Sequence, residues 1–157
     1  MKAVLISIQP KWCELITSGK KTVEVRKTKP KLELPFKCYI YCTNDKKCSF
    51  CIDDGNKYTY IGNGKVIGEF VCDYIVTAEH GRYKVLKYYD TWVESLDLCC
   101  YADGKTVYGW HISDLVIYEK PKDLIEFEGL RKTKFGYEPI KITRPPQSWC
   151  YVEEATP

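Results

Sequence analysis

Strand-like segments follow one another along this chain with few helices between them, and this order limits the folds that it can adopt. The strongest segment, Lys65 to Val76, reads KVIGEFVCDYIV and is rich in β-branched residues. Further strand patterns cover Lys2 to Ile8, Thr22 to Arg26 and Phe36 to Tyr41. In a doubly wound fold, a crossover helix would follow most of the strands. We therefore predict an α+β or β-barrel fold with roughly five to seven strands.

Two or three helices are predicted around these strands. The first covers Pro10 to Gly19, because proline suits a first helical position, apolar residues follow at helical spacing, and glycine stops a helix. Apolar residues at helical spacing predict a second helix over Leu86 to Leu98. Pro121 to Phe127 can form a short third helix, whereas the charged stretch Glu128 to Tyr137 is predicted to be a loop.

Size and composition predict one domain over residues 1–157, with a polar, cysteine-bearing addition at 43–64. The 157 residues are 45% hydrophobic and 29% charged, a balance that lets one domain bury its own core. The sequence has no apolar run of about 18 residues and its start lacks a secretory signal pattern, so we expect a soluble, cytoplasmic protein with no membrane partner. A net charge of +3 permits a nucleic-acid partner without demanding one.

The stretch around the first helix stop carries a charged pattern that can form a site. Glu24 and Arg26 are two residues apart on one face of the predicted second strand, about 6.6 Å along the backbone, and Lys21 lies at the turn before it. Together they suit a polar ligand with an anionic group. The simpler interpretation is a solvated strand face with a surface ion pair worth at most about 1 kcal/mol, and spacing alone favours it.

The motif Gly19-x-Lys21-x-x-Glu24-x-Arg26, preceded by a strand and a proline-capped helix, resembles the signature of the ASCH domain family, G-x-K-x-x-E-x-R. All four signature positions match. The resemblance extends through LISIQPKWCELITSGKKTVEVRK and to the later segments GKVIGEF and YGWHISDLVIYEKPKDLIEF, and so covers most of the chain. It implies an α+β fold in the form of a PUA-like mixed β-barrel with two or three peripheral helices.

The resemblance also implies a cleft between the first helix and the second strand, lined by Lys21, Glu24 and Arg26. In the family this cleft is proposed to bind RNA or modified nucleosides, so we expect an RNA, nucleoside or nucleotide ligand. One alternative is a small amidohydrolase that acts on an acylated nucleoside such as N4-acetylcytidine, with Lys21, Glu24 and Thr22 as catalytic groups. The nucleophilic threonine of those members stands where this chain has Glu24, so binding is the favoured function. A structural or protein-interaction domain is the third alternative.

Five more residues are candidate walls of such a cleft. Ser7 and Gln9 lie near the start of the first helix, where free backbone amides can receive an anion, and Trp12 of that helix could stack on a base. Trp110 and His111 could stack on a base or hydrogen-bond to it. Alternation places these two side chains on opposite faces of a strand, so the simpler interpretation is a core tryptophan beside an outward histidine.

The chain has nine cysteines, which is a high count. Disulfides are not predicted from it, because a chain with an ample apolar core does not need them for stability. Cys42, Cys48 and Cys51 have a C-x5-C-x2-C spacing that could hold a structural zinc ion. A closed zinc site needs a fourth ligand, which Cys38 or Cys72 could supply only through a tertiary contact. We therefore expect no cofactor and a loop of reduced thiols, with structural zinc as the alternative.

Overall fold

The computed structural model describes residues 1–44 and 62–155 together with the short segments 52–53 and 58–59. The strands of this part of the chain are β1 (Lys2–Ile8), β2 (Val23–Arg26), β3 (Phe36–Cys42), β4 (Ile52–Asp53), β5 (Tyr58–Thr59), β6 (Lys65–Cys72), β7 (Ile75–Ala78), β8 (Val107–His111), β9 (Ser113–Lys122), β10 (Glu128–Thr133), β11 (Gly136–Lys141) and β12 (Trp149–Glu153). The helices are α1 (Pro10–Thr17), α2 (Ser95–Ala102) and two 3₁₀ helices, Tyr83–Tyr88 and Leu124–Glu126. None of these helices is long and apolar enough to cross a membrane.

A large sheet in the described part of the chain has the strand order β11-β10-β12-β1-β3-β6-β9. The central strand β1 pairs antiparallel with β12 and parallel with β3. A parallel pair needs a crossover connection, and α1 and β2 lie in this one. A second sheet has the order β2-β8-β7, and β4 pairs with β5. The crossover from β1 to its parallel neighbour β3 therefore contains both the first helix and the charged strand.

The α+β class is confirmed, but the prediction of a closed barrel is wrong. Along the large sheet the strand order runs from β11 to β9 without these two end strands pairing. The chain leaves the small sheet at β8 and enters the large sheet at β9 with only Ile112 between them. Because β8 pairs with β2 and β7 while β9 pairs with β6, this step forms a corner between two sheets. Apart from the β4–β5 pair, the described strands form two open sheets that pack on each other.

The main core lies between these two sheets and α1. Cys13 and Ile16 of α1 are buried against strands β1 and β3 in this core. Trp110 of β8 is fully buried and packs edge to face on Phe36 of β3, with ring centroids 5.8 Å apart. This packing fixes the position of β8 over the large sheet. It also fixes the position of the charged strand β2, because β2 pairs with β8.

Several predicted elements have other structures. The predicted strand Lys65 to Val76 is divided between β6 of the large sheet and β7 of the second sheet. Instead of a helix over Leu86 to Leu98, the chain forms the 3₁₀ helix Tyr83–Tyr88, a connecting segment of residues 89–94 that we call the strap, and then α2. The Asp90 carbonyl accepts hydrogen bonds from the Thr22 and Val23 amides at 3.0 and 3.4 Å, which removes it from any helical ladder. The predicted loop Glu128 to Tyr137 instead contains β10 and the turn into β11.

Close contact between β6 and β9 gives a test of this architecture. A Cβ atom at Gly68 would meet the Val116 carbonyl oxygen and lie 3.0 Å from Ile117 Cδ1. We expect Gly68→Ala to lower the free energy of unfolding by about 1 to 3 kcal/mol, because backbone must move to admit the methyl group. Urea unfolding followed by circular dichroism measures this loss.

Val116→Ala is the control for this substitution, because the Val116 side chain is 51% exposed on the neighbouring strand. It should change the free energy of unfolding by about 0.5 kcal/mol or less. Equal losses in the two variants would contradict the close approach of β6 and β9 at Gly68.

Candidate functional site

The corner between α1 and β2 is built by a helix stop. The Ser18 amide donates to the Glu14 carbonyl at 3.1 Å, and Gly19 adopts φ +73°, a left-handed conformation that favours glycine. The Lys21 amide then folds back to donate to the Leu15 carbonyl at 2.9 Å. This turn places the Lys21 side chain beside the first residues of β2.

A buried cluster of three charges forms at this corner. The Glu24 carboxylate lies 3.2 Å from Lys21 Nζ through Oε2 and 2.9 Å from Arg26 Nη2 through Oε1. Lys21, Glu24 and Arg26 are only 2%, 6% and 9% exposed. We call these three residues the charged triad. The interpretation of a solvated strand face is therefore wrong, because other parts of the fold cover this face of β2.

Backbone carbonyls from distant segments complete the surroundings of the two cations. Lys21 Nζ donates to the Val23 carbonyl at 2.8 Å and to the Thr91 carbonyl of the strap at 2.6 Å. Arg26 Nη2 donates to the Ser7 carbonyl at the end of β1, also at 2.6 Å. Burial lowers the pKa of Lys21 below its ordinary value of 10.5, although the Glu24 carboxylate opposes this shift. Within the described residues, Arg26 Nε is buried with no hydrogen-bond partner.

The charged triad lies at the wall of a cleft of about 770 Å³. This volume is within the range of pockets that bind small molecules and cofactors. Trp12 of α1 also lines it, and its ring centroid lies 5.1 Å from Lys21 Nζ and 4.6 Å from Lys11 Nζ. The residues around the cleft are Ser7, Gln9, Lys11, Trp12, Lys21, Glu24, Val25, Arg26, Thr43, Val93, Asp97, Leu98, Tyr101, Pro145, Pro146 and Gln147.

The formal charges around the cleft favour an anionic ligand. Lys11, Lys21 and Arg26 are cationic, and Glu24 and Asp97 are anionic, which leaves one positive charge in excess. Because the triad is buried, water screens its charges less than it would screen surface charges. A phosphate or a carbonyl-rich base in the cleft would therefore meet a net positive potential beside an aromatic ring.

Six of the eight residues predicted to bind the ligand lie around this one cleft. They are Ser7, Gln9, Trp12, Lys21, Glu24 and Arg26. The Ser7 hydroxyl donates to the Pro146 carbonyl at 2.6 Å, so it holds the segment 145–147 that forms the opposite wall. Whether these side chains bind a ligand stays a prediction.

Trp110 and Thr22 are two further candidates that lie outside the lining of the cleft. Trp110 is a core residue, as the simpler interpretation had it, because it packs between Phe36 and Trp149. The Thr22 hydroxyl instead donates to Asp90 Oδ2 at 3.4 Å. Neither the Trp110 nor the Thr22 side chain lines the cleft.

His111 also lies outside the cleft lining. Its Nδ1 atom is 2.6 Å from Asp73 Oδ1, and its ring stacks on Tyr74 with centroids 4.2 Å apart. The hydrogen bond to His111 lowers the pKa of the Asp73 carboxyl below its ordinary value. His111 faces away from Trp110 on β8, as alternation predicts, and belongs to a different surface.

Sequence reasoning missed the walls that lie far from β2 in the chain. Asp97, Leu98 and Tyr101 come from α2, and Pro145 to Gln147 come from the segment before β12. Helical spacing indicated a helix near Leu98, but its phase and start were wrong because the strap is not helical. The proline pair Pro145 and Pro146 was the available signal of a rigid wall.

The predicted zinc site falls largely outside the described residues. Cys48 and Cys51 are not among them, and Cys42 is buried in the main core at the end of β3. In the described part of the chain, no group of three His, Cys, Asp or Glu side chains is close enough to hold a metal ion. A zinc site formed by Cys42, Cys48 and Cys51 stays a prediction.

The fold and this site define an α+β domain with a polar cleft between its first helix and its second strand. The model of the ASCH domain matches residues 6–146, which is most of the chain. The chain therefore belongs to the ASCH domain family, as its signature motif predicted. Comparison with curated proteins gives no match.

Solved structures of the ASCH protein from Zymomonas mobilis have a similar fold. A single-residue variant of that protein matches with a TM-score of 0.61 and 20% identity, over 98% of this chain and 92% of the other. The ASCH structure without a named substitution matches with a TM-score of 0.59 and 20% identity, over 97% of this chain and 88% of the other. At this identity the comparison shows a shared fold.

The charge balance of the triad can be tested by substitution. Glu24→Gln keeps the shape of the side chain but leaves Lys21 and Arg26 buried without their counter-ion, so we expect it to lower the free energy of unfolding by about 3 to 5 kcal/mol. Lys21→Met should lower it less, because the Glu24 and Arg26 charges still balance. Chemical unfolding at neutral pH measures both variants. A smaller loss for Glu24→Gln than for Lys21→Met would contradict this account.

The loss of unfolding free energy in Glu24→Gln should also depend on pH. Glu24 opposes the lowering of the Lys21 pKa, so its removal should lower that pKa further below 10.5. Between the lowered pKa and the ordinary one, the unfolded state binds more protons than the folded state, so the free energy of unfolding rises with pH. The stability difference from wild type should therefore shrink as pH rises from about 7 towards 10. Unfolding at several pH values measures it, and a pH-independent difference would show that Lys21 stays protonated.

Proposed function

We propose that this ASCH domain binds RNA, with one nucleotide unit held in the cleft beside the charged triad. The observation that carries this proposal is the excess positive charge of a buried triad at the wall of a cleft that also has an aromatic side chain. Phosphate and base oxygens are acceptors that charged donors bind strongly. Aromatic rings stack on bases of single-stranded nucleic acids.

Trp12 is the side chain proposed to stack on the base. It is partly buried on α1, and the ammonium groups of Lys11 and Lys21 lie within about 5 Å of its ring centroid. Cations near an aromatic face add to the attraction of a polar, electron-rich ligand at the same place. Tyr101 of α2 also lines the cleft and is a second aromatic surface.

Arg26 is proposed to recognise an oxygen of the nucleotide. Its Nη2 atom already contacts the Glu24 carboxylate and donates to the Ser7 carbonyl, whereas Nε has no hydrogen-bond partner in the described structure. A buried N–H group without a partner costs free energy, and a ligand oxygen would remove that cost. In contrast, Lys21 has three acceptors for its three N–H donors, so it would act on the ligand through its charge.

The amidohydrolase alternative has less support. The threonine suggested as a substitute nucleophile, Thr22, donates its hydroxyl to Asp90 and does not line the cleft. We expect purified protein to release no acetate from N4-acetylcytidine above the buffer rate, measured by chromatography of the nucleoside. Turnover that is abolished in Lys21→Met would establish the enzyme instead.

Substitution of Trp12 tests the binding proposal. We expect wild-type protein to bind a labelled single-stranded RNA of about ten nucleotides in fluorescence anisotropy, and to bind free ribonucleosides in the cleft. Trp12→Leu should weaken RNA binding by about 5- to 150-fold, the equivalent of one lost base stack. This variant is preferable to Lys21→Ala or Arg26→Ala, because those would leave the buried triad unbalanced.

Trp92→Leu is the matched control, because Trp92 is 54% exposed on the strap and does not line the cleft. It should bind RNA like wild type. Equal weakening in both variants would contradict a stacking role for Trp12. Wild-type protein that binds neither RNA nor any ribonucleoside would overturn the proposal and favour a structural or protein-interaction domain.

A further inference from the structure

A run of lysines follows β2 directly after the cleft residue Arg26. Residues 27–31 read KTKPK and contain three lysines and no acidic residue; we call them the basic loop. In the described part of the chain, no carboxylate forms an ion pair with Lys27, Lys29 or Lys31. Three like charges within five residues repel one another, so an anionic partner would stabilise this conformation.

The basic loop is held in place by two aromatic residues of β12, one through a side chain of the loop and one through its backbone. Trp149 Nε1 donates a hydrogen bond to Thr28 Oγ1 at 3.0 Å. The Lys31 amide donates to the Tyr151 hydroxyl at 2.8 Å. Both aromatic residues belong to the large sheet, so the loop that carries the lysine side chains has a defined position. A partner that binds them would not first have to order the loop.

Two of the lysines lie over aromatic rings that adjoin the cleft. Lys27 Nζ is 4.9 Å from the centroid of the Tyr101 ring, and Tyr101 lines the cleft. Lys29 Nζ is 5.5 Å from the centroid of the Tyr108 ring. Tyr108 is the register partner of Arg26 across β2 and β8, so it lies next to the charged triad. The basic surface is therefore continuous with the candidate nucleotide site.

The alternation of cations and aromatic rings indicates the chemistry of the partner. Lysines bind phosphates, and aromatic rings stack on unpaired bases, which together are the two features of single-stranded nucleic-acid sites. An acidic peptide would satisfy the lysines but would leave the tyrosine rings without stacked partners. A base in a duplex is not available to enter a cleft without first leaving its stack.

We infer that the basic loop, with Tyr101 and Tyr108, binds the phosphates and bases that flank the nucleotide in the cleft. The ligand is then a single-stranded RNA segment that runs from the cleft over residues 27–31, and a free nucleoside fills only part of the site. This inference rests on the proposed function, which supplies the nucleotide in the cleft.

The double variant Lys27→Gln/Lys29→Gln tests this inference with the same labelled RNA of about ten nucleotides. Loss of two phosphate contacts should reduce the slope of log affinity against log salt by about 1.4, measured between about 50 and 200 mM salt. At about 100 mM salt the affinity for RNA should fall by about 20-fold. Binding of free ribonucleosides, followed by tryptophan fluorescence, should stay within about twofold of wild type because they carry no phosphate.

Lys132→Gln/Lys134→Gln is the matched control, because it removes the same charge from the hairpin of β10 and β11, which does not line the cleft. Its RNA affinity and salt slope should stay close to those of wild type. Equal losses in the two double variants would show that only overall charge matters and would overturn the inference. A duplex of the same sequence should bind more weakly, and equal binding would overturn its single-stranded part.

The two proposals fail in different ways. Ribonucleoside binding that depends on Trp12, together with unchanged RNA binding in Lys27→Gln/Lys29→Gln, would leave the cleft proposal standing and overturn the role of the basic loop. Absence of both nucleoside and RNA binding in wild type would overturn the proposed function itself and the inference with it.

Discussion

The Glu24 carboxylate is the group on which the rest of the site depends. It pairs with Lys21 and Arg26, whose other donors bind the carbonyls of Thr91 and Ser7. One buried carboxylate thus links the helix stop, the second strand, the strap and the end of β1. Burying three charges is costly, and apolar residues of similar size often stabilise a fold as well or better. A gain in stability therefore does not explain the triad, and this is consistent with the proposed role of its charges in the cleft.

Local pattern predicted the faces of β2 correctly but not their burial. Alternation placed Glu24 and Arg26 on one face and Val23 and Val25 on the other, and all four are buried. The face with the charges points towards the large sheet, where Arg26 reaches the Ser7 carbonyl of β1. Val25, on the other face, packs in a cluster with Leu98 and Ala102 of α2, which lie far along the chain. Periodicity reports only on neighbours in sequence, so it cannot show what packs over a strand. The signature motif predicted the family, because it links this short pattern to a known arrangement.

Each wrong assignment made from the sequence has a physical cause in the fold. The strap was predicted as helix because apolar residues of the region 86–98 recur at helical spacing, yet Tyr89 and Val93 pack beside Leu86 and Leu98 from a backbone that is not helical. The carbonyls of Asp90 and Thr91 bind β2 instead of a helical turn, and that competition is invisible in sequence. Three of the six residues of β10 and five of the six residues of β11 are exposed, so little apolar alternation marked these strands. Closure of the barrel was predicted from the family resemblance, but in the described part of the chain the end strands β11 and β9 of the large sheet do not pair with each other.

Buried and exposed cations have different roles in this arrangement. Lys21 has acceptors for all its donors, so a direct bond to a ligand would require it to leave the Glu24 carboxylate or a backbone carbonyl. It can still attract an anion, because charges in a poorly solvated site act over longer distances than charges in water. Among the described residues, Lys27 and Lys29 lie over tyrosine rings and form no ion pair, and such contacts are weak enough to exchange for phosphate. In the proposed complex the triad would shape the cleft and set its potential, while the basic loop would make direct, salt-sensitive contacts with the RNA.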